Sequence, residues 1–325
     1  MSTISEVAKK AGVSNATVSR VLSGAARVRE ETRNRVMEAI DTLSYVPNQA
    51  ARSLASNKTF TVGLVASNID NIYYGPAAGG VEKALRKADR HAIIASGNDS
   101  LSGEREAVDF LIKRQVDALV LVTRYMSEEE LAEINRRCPV FVMNQHFDGD
   151  HGRNIAFDNF SGGKMAIQYL LDQGHRRIAI VRGPKSKSDA SQRYLGSLQA
   201  MEAAGLALTY EVEGDFTIES GVKHMQSILR LGERPTAVFL GNDLMAIGAL
   251  HVCNEHKVKV PEDIAIIGFD DTYLARYTSP SLTTIQLPLF DMANATAKLL
   301  LNTIYDCQYD VQTLFSPKLV CRKSA

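Results

Sequence analysis

Apolar residues recur at helical spacing over residues 4–22, and one glycine interrupts them. Ile4, Val7, Ala8 and Ala11 fall on one stripe of a first helix. Thr3, followed three residues later by Glu6, fits a capping box, in which side chains satisfy the free N–H groups at a helix start. Gly12 supplies the positive φ that a sharp turn needs. Ser14 then stands where a second helix takes its N-cap. On that second helix Val18, Val21 and Leu22 face inward, leaving Asn15, Ala16, Ser19 and Arg20 outward. Residues 30–43 predict a third amphipathic helix, with Val36, Ile40 and Leu43 on one side and Glu31 four residues before Arg35 on the other. Two readings fit: a small helical bundle with a solvated face, or a helix-turn-helix whose short polar front enters a major groove.

The next segment favours the second. Pro47 pushes Val46 out of helical geometry and ends the bundle. Asn48 can cap a short new helix carrying Arg52 and Leu54. Taken together, Val7-Ala8, Ala11-Gly12-Val13-Ser14, Thr17-Val18-Ser19-Arg20-Val21, Tyr45-Val46-Pro47-Asn48 and Ala51-Arg52-Ser53-Leu54 carry a specific resemblance. The chain is similar to bacterial transcriptional repressors of the lactose/galactose repressor family, most of all to its galactose and β-glucoside branch. The similarity runs to the last residues. It implies double-stranded DNA as partner, a palindromic operator and a homodimer. Side-chain chemistry then assigns Asn15, Ala16 and Arg20 to base edges: Asn suits adenine, Arg guanine, and an alanine methyl the thymine methyl. Ser14, Thr17 and Ser19 are expected on phosphate, fixing register. Asn48, Arg52 and Leu54 belong to the hinge, and the resemblance places Leu54 as a wedge in the minor groove at the operator centre.

From residue 61 the texture changes. Thr61–Ala66, Ala92–Ser96, Ala118–Val122, Val140–Val142, Ile178–Val181, Ala237–Leu240 and Ile264–Gly268 read as strands. Helical patterns at 104–114, 127–137, 161–173, 191–204, 220–231 and 244–256 lie between them. Such alternation predicts parallel sheets with helices on both faces, in two doubly wound lobes. The expected fold is therefore an α/β two-lobed core of the periplasmic-binding-protein type with an all-α headpiece. The headpiece covers 1–46, hinge and linker 47–60, and the effector-binding and dimerisation core 61–325. The first lobe comprises about 61–160 plus 290–319, and the second about 161–289 plus 320–325. By the resemblance, Tyr73, Tyr74, Asn144, Arg193, Phe216, Asn242 and Asp270 line an effector pocket between the lobes. Their chemistry suits a sugar: Asp270, Asn242 and Arg193 can meet vicinal hydroxyls, and the aromatic faces can meet ring C–H groups. The structural alternatives are that Asp270 caps a helix and that Asn242 makes a turn. Residues 214–221 and 234–239 also resemble the purine repressor, so a purine corepressor stays open as an alternative.

Charge agrees with this division. Residues 1–58 carry nine Lys and Arg against five Asp and Glu, so a basic headpiece sits on an acidic remainder although the whole chain is neutral. No secretory signal and no span of about twenty apolar residues is legible. Cys138, Cys253, Cys307 and Cys321 are scattered without a C-x-x-C, which predicts reduced thiols and a cytoplasmic chain. Neither a transport-type sugar-binding protein nor a sugar-active enzyme fits as well. Ser161-Gly162-Gly163-Lys164 lacks the P-loop frame, His251 and His256 do not share a helix face, and no nucleophile–base pair is spaced for catalysis. No cofactor and no metal are expected. The C-terminus, Arg322–Ala325, has no counterpart of the lactose repressor's tetramerising helix, which leaves a dimer as the expectation.

Overall fold

The computed structural model describes residues 2–22, 28–45, 58–144 and 149–325, in two compact units that divide between Phe60 and Thr61. The described part of the first unit holds α1 (Ile4–Ala11), α2 (Asn15–Leu22) and α3 (Glu30–Leu43). Local chemistry sets their ends. Thr3 Oγ1 accepts from the Glu6 N–H at 3.3 Å, while the Glu6 carboxylate accepts from the Thr3 N–H at 2.7 Å, closing the capping box. Gly12 terminates α1 at φ 67°. Ser14 Oγ accepts from the Thr17 N–H at 3.2 Å and caps α2. Val7, Ala8, Ala11, Val18, Val21, Val36 and Ala39 form a small buried core. The hinge positions Asn48, Arg52 and Leu54 lie outside the described residues.

The second unit contains two six-stranded sheets. The chain runs through β1 (Thr61–Ala66), α4 (Tyr74–Lys87), β2 (His91–Ser96), α5 (Leu101–Lys113), β3 (Ala118–Val122), α6 (Glu128–Arg137), β4 (Val140–Met143) and β5 (Asn154–Phe157). It continues through α7 (Asn159–Asp172), β6 (Ile178–Arg182), α8 (Ser188–Ala203), β7 (Tyr210–Glu213), α9 (Ile218–Leu229), β8 (Ala237–Leu240), α10 (Asp243–Glu255) and β9 (Ala265–Asp270). Last come β10 (Thr283–Gln286), α11 (Leu289–Tyr305), β11 (Leu314–Phe315) and β12 (Lys318–Val320). The strand orders are β11-β5-β4-β3-β1-β2 and β12-β10-β9-β8-β6-β7. All pairings are parallel except β10 with β12. Central strands are buried on both faces, which is why they read as unbroken apolar runs. The chain changes sheet after β5, after β10 and again between β11 and β12. As a result α11 packs on α4 near the opposite end of the sequence.

Three helix pairs are packed through glycine. At Gly163 on α7, a Cβ would lie 1.8 Å from the Arg193 carbonyl on α8; at Gly196 on α8, it would lie 1.9 Å from the Phe160 carbonyl on α7. Gly248 on α10 meets the Ile218 carbonyl on α9 in the same way, and Gly80 on α4 meets the Phe290 carbonyl on α11. Backbones this close leave no volume for a methyl group, so the helix separations are set by these residues.

Asp243 ties the second sheet together. It has no solvent exposure. Its carboxylate accepts from Thr284 Oγ1 at 2.6 Å, from the Thr272 N–H at 2.6 Å and from Thr272 Oγ1 at 3.0 Å. Burial pushes this carboxyl from its ordinary 3.8 up to about 7, against the pull of those donors.

Two expectations follow from this packing. Gly163→Ala should cost about 2–3 kcal/mol of stability through overpacking, read as a lowered denaturation midpoint; an unchanged midpoint would show that the α7–α8 contact can relax. Asp243 is protonated in the folded chain up to about pH 7 but ionises from 3.8 in the unfolded chain. Its contribution is therefore complete at low pH and is lost as pH rises through 7. Denaturation of wild type and Asp243→Asn in parallel should show wild type losing ground between about pH 4 and 7.5. A pH-independent difference between the two would rule out the raised carboxyl.

Candidate functional site

In each sheet the order of strands reverses beside the first strand, β1 in one and β6 in the other. Loops leaving neighbouring strands there diverge to opposite faces and open a crevice at the strand C-termini. A cavity of about 390 Å³ occupies this position. Its walls come from the segments after β1 (Asn71, Tyr73, Tyr74), β3 (Thr123, Arg124, Met126), β4 (Asn144), β6 (Lys187, Asp189), β8 (Asn242) and β9 (Asp270, Thr272), together with Arg193 and Phe216. All seven residues expected at an effector pocket are among them.

Arg193 is the centre of the arrangement. It is 3 % exposed, so its guanidinium needs internal partners. Nε donates to Asn159 Oδ1 at 2.9 Å, and Nη1 to the Gly241 carbonyl at 2.8 Å and to Asp270 Oδ1 at 3.3 Å. Nη2 lies 3.5 Å from Asp189 Oδ2, one helical turn earlier on α8. The planar group stacks 3.9 Å from the centroid of the Phe269 ring. Asn159 passes the connection on, donating to Asn144 Oδ1. Burial pushes the Asp270 carboxyl up to about 8, although Arg193 pulls it down.

The remaining expected residues differ in how free they are. Tyr73 and Tyr74 meet edge to face, their centroids 5.3 Å apart, and burial raises both phenols above their ordinary range. Asn242 is committed on both sides: Oδ1 caps α10 by accepting from the Met245 N–H at 3.0 Å, and Nδ2 donates to the Phe216 carbonyl at 3.1 Å. Its place in the wall is that of a support for Phe216. Asn144, Phe216 and Asp270 have φ of 53°, 67° and 108°, a region that side-chain-bearing residues avoid. Three such backbones around one cavity mark a site where geometry is imposed by the surroundings. A second cavity of about 580 Å³ shares Tyr73 and Asp270 and extends toward Pro288 and Phe290.

Sequence reasoning did not single out Asp189, Lys187, Arg124, Asn159 or Glu104. Asp189 was accessible, since four residues before Arg193 places it on the same helix face. Glu104 was not. It is fully buried, accepts from the hydroxyl of Ser67, and takes the N–H groups of Arg124 at 2.7 Å and Met126 at 3.1 Å. It thereby fixes the loop that carries Arg124 into the cavity. The Arg124 guanidinium donates to the Asp215 carbonyl, joining the wall after β3 to the segment before Phe216.

In the first unit Ser14, Asn15, Ala16, Ser19 and Arg20 are exposed, while Thr17 is half-buried with Oγ1 3.0 Å from Ser14 Oγ. Asn15 Nδ2 donates to Ser5 Oγ at 3.2 Å. The face of α2 opposite Val18 and Val21 is thus short, polar and open.

Residues 3–48 match the family model of bacterial regulatory proteins, lacI family, and residues 167–325 that of the periplasmic binding protein-like domain. The HTH-type transcriptional repressor PurR of Klebsiella pneumoniae subsp. pneumoniae is 36 % identical over 330 residues, spanning 100 % of this chain and 97 % of that protein. Among solved structures, the complex of the transcriptional regulator CelR with cellobiose is 30 % identical, with a TM-score of 0.74 and full coverage of both chains. The Lac repressor dimer bound to operator and the anti-inducer ONPF is 26 % identical, with a TM-score of 0.84 over 99 % of this chain and 98 % of that one. These relatives are transcriptional regulators, and among the described residues no helix is long and apolar enough to cross a membrane. The protein belongs to the lacI family of bacterial regulatory proteins, as a DNA-binding repressor with a ligand-binding core.

Proposed function

We propose that this repressor senses a sugar in the 390 Å³ cavity and that occupancy changes its affinity for a palindromic operator. One observation carries the ligand class. Arg193 is held between two acidic side chains, Asp189 and Asp270, beside the aromatic wall of Phe216, Tyr73 and Tyr74. Alternating fork donors and acceptors suit vicinal hydroxyls, and flat apolar faces suit the C–H side of a pyranose. Relatives solved with cellobiose and ONPF support this reading. The likeness to PurR supports a second, in which a purine acts as corepressor.

On the DNA side, Asn15, Ala16 and Arg20 read base edges, and Ser14, Thr17 and Ser19 hold phosphate. Asn48 and Arg52 belong to the hinge, and Leu54 is its minor-groove wedge. The chain acts as a homodimer in the cytoplasm, by binding and without turnover; ligand recovered unchanged after long incubation checks the last point. Because coupling is reciprocal, operator and ligand each alter the other's affinity by the same factor.

Calorimetry against monosaccharides, β-glucosides and purine bases identifies the class, and operator titration with and without the hit gives the sign. A purine hit without any sugar hit would establish the second reading. Asp270→Asn should lower ligand affinity at least about tenfold while leaving ligand-free operator binding intact. Since sugar hydroxyls donate to the ionised carboxylate, wild-type affinity should climb from about pH 7 to 9, and the variant should be flat. Equal profiles would remove Asp270 from the contact. Arg20→Ala should cost about 1–3 kcal/mol of operator binding and relax preference at one base pair. Leu54→Ala should weaken operator binding with ligand affinity unchanged. Undiminished operator affinity in either variant would exclude the assigned contact.

A further inference from the structure

The polar residues at the mouth of the cavity do not match those at its floor. Lys187 immediately precedes α8, a sixteen-residue helix whose start is capped by no side chain. The first N–H groups of such a helix are left without intrahelical acceptors and carry partial positive charge. The Lys187 ammonium forms no ion pair or hydrogen bond with the described residues, and burial pulls its pKa below the ordinary range. Arg124, from the other lobe, lines the same cavity and presses on Lys187 with like charge. Beside it Thr123 Oγ1 is buried without a partner.

Nearby acids do not neutralise this pair. Asp189 and Glu104 both attract the Lys187 ammonium, but Asp189 is paired with Arg193 and Glu104 is spent on Ser67 and on the N–H groups of Arg124, Tyr125 and Met126; Asp215 attracts Arg124, but its carboxylate accepts from the Thr217 N–H and hydroxyl. Glu128 and Glu129 stand exposed on the first turn of α6, where water screens them, and Glu129 is hydrogen-bonded to Ser127. The start of α6 differs from that of α8, since Ser127 and Glu130 close a capping box over it. An ammonium without a partner among the described residues, a guanidinium whose hydrogen bond goes to the Asp215 backbone carbonyl, an uncapped helix start and an orphaned hydroxyl therefore line a cavity whose other side is built for hydroxyls.

Resting on the sugar reading above, we infer that the effector is a phosphorylated sugar, its phosphate held by Lys187 and Arg124 over the start of α8. A dianion there gains charge-assisted hydrogen bonds from the ammonium, the guanidinium and the free N–H groups. It also bridges the two lobes, because Lys187 follows β6 and Arg124 follows β3. The phosphate thus contributes to closure as well as to affinity, while Asp189, Arg193 and Asp270 hold the ring.

The test is calorimetry on the full chain with matched pairs: glucose and glucose 6-phosphate, galactose and galactose 6-phosphate, cellobiose and its 6′-phosphate. Glucuronate and inorganic phosphate serve as further probes. At least one phosphate ester should bind about tenfold or more tightly than its parent sugar. Lys187→Gln and Arg124→Gln should each remove most of that ratio, Lys187→Gln without moving the melting midpoint of the free protein. Free sugars binding with no gain on phosphorylation would overturn the inference and leave the sugar reading standing. Equal gain from glucuronate would replace the phosphate by a carboxylate, and inorganic phosphate binding as tightly as any ester would detach the subsite from the sugar; either result rejects the proposal. If no sugar binds in either form, the sugar reading itself fails and takes this inference with it.

Discussion

The second unit is organised around a buried guanidinium. An Arg at 3 % exposure is costly unless its donors are answered. Here the answers come from Asn159 at the start of α7, Gly241 after β8, Asp270 at the end of β9 and Asp189 on α8 itself. Four separate segments are thereby held at fixed distances around one side chain. The cavity wall is the solvent-facing side of that assembly. Removing Arg193 would leave Asp270, already resisting ionisation, as an unpaired buried acid, so its structural and recognition roles cannot be separated by deletion.

The glycine crossings serve the same end. Arg193 contributes the carbonyl that packs on Gly163, so its backbone is located by the α7–α8 contact as well as by the bonds of its side chain. A similar logic applies to Phe216. Its backbone carbonyl is held by Asn242, while its ring packs against Gly183, where a Cβ would stand 2.1 Å from the ring edge. Recognition groups of this kind are placed by main-chain packing and need little ordering when a ligand arrives.

Much of the architecture was legible because parallel strands buried on both faces leave unmistakable apolar runs; β1, β3 and β8 begin and end where the runs do. Several helices begin two or three residues before their apolar periodicity does. Their first turns hold one large apolar residue each, Leu101, Phe160 or Ile218, among small and polar ones, and follow the capping residues Ser100, Asp158 and Thr217. The strands that escaped notice, β5, β7, β10, β11 and β12, are short; β7 shows no buried run, and β10 is buried but carries Thr283, Thr284 and Gln286 in place of an apolar run. At the site, Arg193 and Asp270 were recoverable through family likeness. Glu104 and Asn159 were not, since a carboxylate on one helix and an amide at the start of another acquire meaning only when tertiary packing brings their partners to them.

The threefold passage of the chain between sheets bears on how the protein is made. β11 completes the first sheet and β12 the second, and both lie in the final dozen residues. A ribosome that has released residues 61–160 has therefore produced a sheet without its edge strand and without α11, the helix that packs on α4. Neither sheet has all its strands until β11 and β12 have been made, so neither lobe can be finished as an independent folding unit before residue 320 is out. Unlike a string of contiguous domains, this core has a late, shared commitment step, in which the first lobe waits for α11 and β11, made only after most of the second lobe.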